Sequence, residues 1–440
     1  MPRGDRARRA ERFAWCLFDF ANSAFNTIVI TFVFSRFFAH ELVGDARTGE
    51  VYWARALTVA GLAIAILSPV LGARADRTAA KKTYLIVLTL VTIACTAGLF
   101  FIRTAPGMDH ASPVGIATAL VLVTVAMVAF EVMFVFYNAF LPELAAGHEL
   151  GRLSGFGWAL GYAGGLLCLA LCLLCVGIPG PEGGYLLAPW VSTEGALHIR
   201  TTNLIVAAWF LVFALPLFVL VRGGRAAPVP AAGGGSVREV LATLRRLPET
   251  PDLLRFLVAR LFYNDALVAL YTLSGLYMAE TLAMSTSEVM LVAIGLNVVS
   301  GLGAVAFGYV DDFVGAKAAL VGSLLLLLAG ATLAVAIPTV PAFLVAGSLV
   351  GLGLGPNQAA SRSMLARFAD PQRQSELYGL FSLSGKATVW LGPLLFGVIR
   401  DRTDDQRLAL MPLIGMFAIG LVILLTVDER RGARLAGRQD

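Results

Sequence analysis

Glu131, Asp265 and Lys386 each lie deep inside a long apolar run, where ionisable side chains are rare. A charge at the centre of a membrane-crossing helix costs about 2.5–3.5 kcal/mol on insertion scales, so each one calls for a reason. Arg260 precedes Asp265 by five residues, Asp19 and Asn22 lie one to two turns into the first run, and Asn138, Asn264, Asn297 and Gln358 add hydrogen-bonding groups. Two acids and a base at similar depth suit one central cavity. There Lys386 and Arg260 would meet a carboxylate, while Glu131 or Asp265 would take an amine or a coupling proton. The competing reading is a static ion-pair network that fixes helix positions, although buried pairs contribute little stability in themselves. For Asp19, near the end of its run, the competing reading is a side chain that snorkels to the interface.

Other chemistries find no support. GLGAVA (301–306) matches a dinucleotide fingerprint but lies in an apolar run with no strand before it. In SGKA (384–387) the upstream glycine, Gly379, is one place early, and Ala387 replaces the hydroxyl that would hold magnesium. There is no HExxH pattern and no nucleophile elbow with a histidine partner, and His40, His110, His148 and His198 sit near run ends or in loops. Cys168, Cys172 and Cys175 share a helical face, but no histidine or carboxylate accompanies them. With Cys16 and Cys95 they read as small buried hydrophobes. No cofactor, no metal and no enzymatic activity are expected.

The elements that must position these groups are membrane helices. A chain of 440 residues that is 58% hydrophobic and 14% charged is too apolar for a soluble globular protein. Twelve runs reach the length of about 20 apolar residues that a bilayer core requires. They cover 14–38, 52–73, 83–103, 114–138, 152–176 and 202–221, then 254–278, 287–310, 317–337, 340–360, 377–399 and 408–427. The first lacks a small-residue cleavage site and is read as a helix that stays in place, not as a signal peptide. Between the two sets of six lies GGRAAPVPAAGGGS (223–236), whose glycine, proline and alanine make a flexible linker. The expected fold is all-α, two six-helix bundles at 14–222 and 253–427, with a linker at 223–252 and tails at 1–13 and 428–440. Val237–Leu247 carries apolar residues at helical spacing among basic ones, and reads either as a helix on the membrane surface or as a solvated linker.

Most of the 34 lysines and arginines fall on one side if both termini are cytoplasmic, although Arg400, Arg402 and Arg407 dissent. The net charge of +5 then faces the anionic inner leaflet of the cell membrane, and nucleic acid is not an expected partner.

A repeat links the halves. Gly72, Asp76 and Lys81 recur at the same offsets as Gly308, Asp312 and Lys317, with Arg77 following the first aspartate. A glycine permits close backbone approach in a short loop. An aspartate at a helix end can accept from a neighbouring helix's N-terminus or pair with an arginine, contacts that break if the halves rock apart. Gly157, Gly161 and Gly165 form a small-residue stripe for helix packing, and Pro356 and Pro393 are expected to bend their helices.

The repeated loop resembles the signature of the major facilitator superfamily, departing from it at Ala79, where glycine is usual, and at Phe313, where a basic residue is usual. FDFANSAF (18–25), FYNAFLPEL (136–144), SGFGWALGYAGG (154–165), FLVARLFYND (256–265), QAASRSMLARF (358–368) and SGK with LGPLLFG (384–397) resemble its vacuole-effluxer-like subfamily, related to autophagy-linked amino-acid exporters. A functional monomer is expected, and the resemblance implies a secondary transporter working by alternating access. It implies export of an amino acid or similar solute, and Glu131 and Asp265 are the candidates for proton coupling. The alternatives are a lipid or lysolipid translocator and a sensor or scaffold that keeps the fold without transport.

Overall fold

The computed structural model describes residues 5–104, 110–176, 187, 190–222 and 237–437, so the linker expected at 223–236 lies outside the described residues. All regular structure among the described residues is helical. Eleven helical stretches are long and apolar enough to cross a membrane. In chain order they are Asp5–Leu42, Ala46–Thr78, Lys81–Phe101, Pro113–Leu144, Gly147–Val176, Glu194–Leu220, Glu288–Val314, Ala316–Ala336, Val340–Phe368, Gln374–Thr403 and Gln406–Leu425. The expected seventh run also forms a helix, Pro251–Glu280, which has the length for a span. Asp252, Arg255, Arg260, Asp265 and Glu280 make it less apolar than the others. The spans are numbered first to twelfth with this helix as the seventh. Leu62, Leu291, Leu302 and Val422 are exposed along their faces, an arrangement suited to hydrocarbon surroundings.

Three details differ from the sequence expectation. The tenth span runs on to Phe368, because its polar end from Asn357 to Ser363 is largely buried in protein and hydropathy alone does not mark where such a helix stops. The eleventh span is broken into Gln374–Lys386 and Leu391–Thr403. Pro393 therefore sits in the first turn of the second piece, where a missing N–H costs little, and it starts a helix without bending one. Finally, the linker helix Val237–Arg246 buries Val240 and Thr243 against protein.

The described chain forms two compact units, Met1–Ile64 with Lys82–Phe134 and Leu160–Gly223, and Ala65–Lys81 with Val135–Ala159 and Gly224–Asp440. In the first unit Phe20 stacks on Trp209 at 5.0 Å, Phe25 packs on Phe130 at 4.8 Å and Phe18 meets Phe210 edge-on at 5.9 Å. A Cβ on Gly164 would overlap the Phe20 carbonyl oxygen, and one on Gly165 would come within 2.6 Å of Thr27 Oγ1. These small residues let the fifth span lie directly on the first. The core of the second unit gathers Phe256, Tyr263, Leu320, Leu324, Phe368, Phe381 and Phe417 from five spans.

Candidate functional site

In the second unit the repeated loop residues land on helix ends. The Asp76 carboxylate accepts the backbone N–H groups of Ser375 at 3.1 Å and Glu376 at 2.9 Å, in the opening turn of Gln374–Lys386. The Asp312 carboxylate accepts those of Gly151 at 2.8 Å and Arg152 at 3.2 Å, in the opening turns of the fifth span, and pairs with Arg152 Nε at 2.5 Å. The first N–H groups of a helix lack intrahelical partners and carry a partial positive charge, so a carboxylate there is doubly favoured. The glycines make the approach possible. A Cβ on Gly72 would overlap the Ser375 carbonyl oxygen, and one on Gly308 would stand 2.9 Å from the Gly151 carbonyl oxygen and 3.2 Å from Arg152 Cα. Thus the glycine of each copy lies against the same helix turn that its aspartate caps.

The lysines are used differently. Lys81 Nζ donates to the Ala139 carbonyl at 3.0 Å and to Gln374 Oε1 at 3.2 Å, forms an ion pair with Glu143 and lies 4.7 Å from the Phe140 ring centroid. Lys317 donates its backbone N–H to Glu429 at 2.9 Å and its Nζ to the Leu425 carbonyl at 2.8 Å. Arg77 is half-buried beside Asp76 in the chain. Ala79 adopts φ 50° at the same offset where the second copy has Gly315 at φ 120°. This explains the glycine preference at that position, because an L side chain in the left-handed region is strained.

Several participants in this cluster escaped the sequence reading. Asp311 pairs with Arg367 Nη1 at 2.6 Å and accepts from Ser363. Glu429 bonds the N–H groups of Ala316 and Lys317 and reaches Arg367 Nε at 3.4 Å. Arg362, only 3% exposed, donates to Ser154 Oγ at 2.9 Å, the Ser154 carbonyl at 2.7 Å and Asn138 Oδ1 at 3.4 Å, beside the Tyr137 and Trp158 rings. It falls two residues past the expected end of its span. The doubled acid at 311–312 was the signal available for Asp311.

A second constellation surrounds the break in the eleventh span. Arg260 Nη1 donates to the Phe381 carbonyl at 2.8 Å and to Ser384 Oγ at 3.1 Å, with its guanidinium 3.6 Å from the Phe381 ring centroid. A Cβ on Gly385 would collide with that guanidinium. Asn264 Nδ2 donates to the Gly385 carbonyl at 2.9 Å and its Oδ1 lies 3.4 Å from Gln358 Nε2. Thr388 Oγ1 bonds the Leu261 carbonyl at 3.1 Å, and Asp265 Oδ1 faces the Gly392 N–H at 3.4 Å. Successive residues of the seventh span therefore hold both flanks of the interruption, and half-buried Lys386 ends the first piece. Broken helices expose backbone groups that a transporter can turn toward a ligand or ion.

The structure thus brings Arg260, Asn264, Asp265, Gln358 and Lys386 to one region. Asn138 joins Arg362 instead. Asn297 donates Nδ2 to the Ala293 carbonyl of its own helix at 2.8 Å. Asp19, Asn22 and Glu131 belong to the first unit, where Asn22 Nδ2 donates to the Phe18 carbonyl at 2.8 Å and lies 3.5 Å from Asp19 Oδ1. Gly161 lies close to Asp19, its Cβ position 3.0 Å from Ser23 Oγ and 3.6 Å from Asp19 Cβ. Gly157 is buried, and the tight approach nearest to it in the chain is made by Gly155 on Ala304. No group of three or more metal-ligating side chains occurs among the described residues.

The family model described as vacuole effluxer Atg22 like matches residues 51–152 and 149–437. The MFS-type transporter YxiO of Bacillus subtilis is 27% identical over 435 residues, covering 97% of each chain. Autophagy-related protein 22-1 of Penicillium rubens is 21% identical over 308 residues, which are 64% of this chain and 50% of that protein, so the chain spans about half the length of this fungal relative. Among solved structures, the major facilitator transporter FucP in its outward conformation superposes with a TM-score of 0.74 at 14% identity, over 96% of this chain and 100% of that one.

Proposed function

Because the chain belongs to the vacuole effluxer Atg22-like family of major facilitator transporters, we propose that it exports an amino acid or related small metabolite by alternating access. It is a multi-pass membrane protein and a secondary transporter. The solute, the outward direction, the cell membrane as its location, cytoplasmic termini and action as a monomer are our reading. One observation carries it: each half's loop places a glycine and an aspartate on the first turn of another helix, Asp76 on Ser375 and Glu376, Asp312 on Gly151 and Arg152. Such bonds are made or lost as a set when helix ends separate, which is what a gate requires. Around the broken eleventh span, Arg260 and Lys386 supply cationic groups suited to a carboxylate, and Asn264 and Gln358 supply neutral donors and acceptors.

Counterflow into proteoliposomes tests the proposal. Vesicles preloaded with a mixture of amino acids should accumulate a labelled amino acid, and Lys386→Ala should reduce that uptake at least tenfold. Flux of lysolipid but of no amino acid would replace this reading with a lipid translocator. No flux of any solute class, with protein shown to be folded, would favour a sensor.

A further inference from the structure

In the second unit, the other deeply buried carboxylates are met by arginines. Asp252 receives two bonds from Arg431 at 2.5 and 2.7 Å, Asp311 pairs with Arg367 at 2.6 Å, Asp312 with Arg152 at 2.5 Å, and Glu376 with Arg373 at 2.9 Å. Asp265 is as deeply buried, at 1% exposure, and its surroundings differ. Its Oδ1 receives one long bond from the Gly392 N–H at 3.4 Å, and its Oδ2 has no hydrogen-bond partner. The space at Gly392, which its carboxyl faces, is tight and largely apolar. A Cβ on Gly392 would stand 2.7 Å from Ala269 Cβ, 3.2 Å from Leu413 Cδ2 and 3.3 Å from the carboxyl oxygen itself. An ionised carboxylate here lacks the donors that replace water, whereas the protonated acid has no charge to compensate.

We propose that Asp265 is a proton-binding site whose occupancy controls how the second half of the eleventh span seats against the seventh. Gly392 lies in the first turn of Leu391–Thr403, where unpaired N–H groups and the helix dipole favour an anion. Ionised, Asp265 draws that turn inward and shortens the bond to Gly392. Protonated from bulk water, it releases the turn, and the proton returns to water when the carboxyl ionises. A sodium ion would need a cage of oxygens, and three of the carbonyls at the break already accept hydrogen bonds. Gly385 accepts from Asn264, Ala387 from Trp390 Nε1 at 3.0 Å and Thr388 from Leu391 at 2.7 Å.

The charged groups on the neighbouring elements are Glu376 and Lys386 near the two ends of the first half-helix, Arg400, Asp401 and Arg402 near the end of the second, Arg407 at the start of the twelfth span and Glu249 in the turn Leu247–Glu249. The tenth span adds Arg362 and Arg367, the eighth Glu288, Asp311 and Asp312, and the C-terminal helix Glu429, Arg430, Arg431 and Arg434. Arg260, on the same helix as Asp265, is turned to Phe381 and Ser384. What the proton drives rests on the transporter reading, but its binding at Asp265 does not.

Infrared difference spectra of the full-length protein in vesicles, titrated from mildly acidic to mildly alkaline pH, test this directly. Wild type should show the carbonyl-stretch band of a protonated carboxylic acid that disappears on alkalinisation. The band should be missing in Asp265→Asn and kept in Glu131→Gln. Hydrogen exchange at Leu391, Gly392 and Leu394, corrected for its intrinsic pH dependence, should slow on alkalinisation in wild type and not in Asp265→Asn. A band that survives Asp265→Asn or vanishes in Glu131→Gln overturns the proposal. So does a band removed at constant pH by sodium chloride but not by choline chloride. Should Asp265→Asn fail to fold, Asp265→Glu must shift the band, and an unmoved band overturns the proposal equally. All of these readouts stand whether or not any solute is transported.

Discussion

Asp76 accepts the backbone N–H of Glu376 at 2.9 Å across 300 residues of chain, and Glu376 sends its own carboxylate to Thr243 Oγ1 of the linker helix at 2.5 Å. One aspartate of the second span thereby ties the start of the eleventh to the segment that joins the two halves. Arg373 closes the same knot, donating to Glu376 and to Thr243 at 2.7 Å.

Removing that cap should loosen the knot. Asp76→Ala deletes both acceptors of the Ser375 and Glu376 N–H groups, a loss of about 1–2 kcal/mol for a helix cap. A cysteine placed at buried Gln374 should then react with a maleimide about 5–30 times faster, the population change such an energy brings. Asp312→Ala should do the same for a cysteine placed at buried Leu150. Unchanged labelling in both would remove the aspartates from any gating role.

The glycines of the repeat should be less forgiving than span glycines that have open space beside them. Gly72→Ala forces a methyl into the Ser375 carbonyl, and the overpacking should cost about 1–3 kcal/mol. Gly295→Ala, where nothing stands within 4 Å of the new methyl, is the matched control. Thermal unfolding in detergent should separate the two. Equal midpoints would mean the close approach is not a feature of the folded protein.

Ala79 offers a gain of stability. Its φ of 50° places an L side chain in the left-handed region at a strain of about 1 kcal/mol, which Ala79→Gly relieves. The reciprocal Gly315→Ala, at φ 120° with Glu429 Oε2 2.9 Å from the new methyl, should destabilise by more than that gain. Melting curves of both variants against wild type decide it, and a lower midpoint for Ala79→Gly contradicts the assignment of strain.

At Arg362 the shape of the donor group matters as well as its charge. Nε and Nη2 reach the hydroxyl and the carbonyl of Ser154 separately, at 2.9 and 2.7 Å. A lysine offers one nitrogen where the guanidinium offers a planar fork, so Arg362→Lys should lose about 1–3 kcal/mol through acceptors left unpaired. Denaturation midpoints measured beside Ser154→Ala should show the two changes to be non-additive. Additive losses would mean that the pair does not act as a unit.

Apolar length and the duplicated glycine and aspartate were enough to read an all-helical membrane chain and the loops worth watching, since hydrocarbon thickness and backbone satisfaction leave few other solutions. The intramembrane charges at Arg260, Asp265 and Lys386 were equally visible, because a costly residue stands out against an apolar run. What could not be read was their partnership. The break after Lys386 has only a weak sequence signal, Ser384 with Gly385 and the β-branched Thr388 and Val389, and the nearby Pro393 suggested a bend where the structure has a new start. Arg362, Asp311 and Glu429 look like ordinary boundary charges until the fold buries or pairs them. The physical reason is that hydropathy measures a segment's preference for lipid over water, whereas the worth of a charge depends on which donors and acceptors lie a few ångströms away. The sequence by itself determined the spans, the duplication and the candidate charges. Only the tertiary structure decided that Asp76 and Asp312 each cap a helix from a distant part of the chain, and that Asp265, unlike its acidic neighbours, faces a single weak donor.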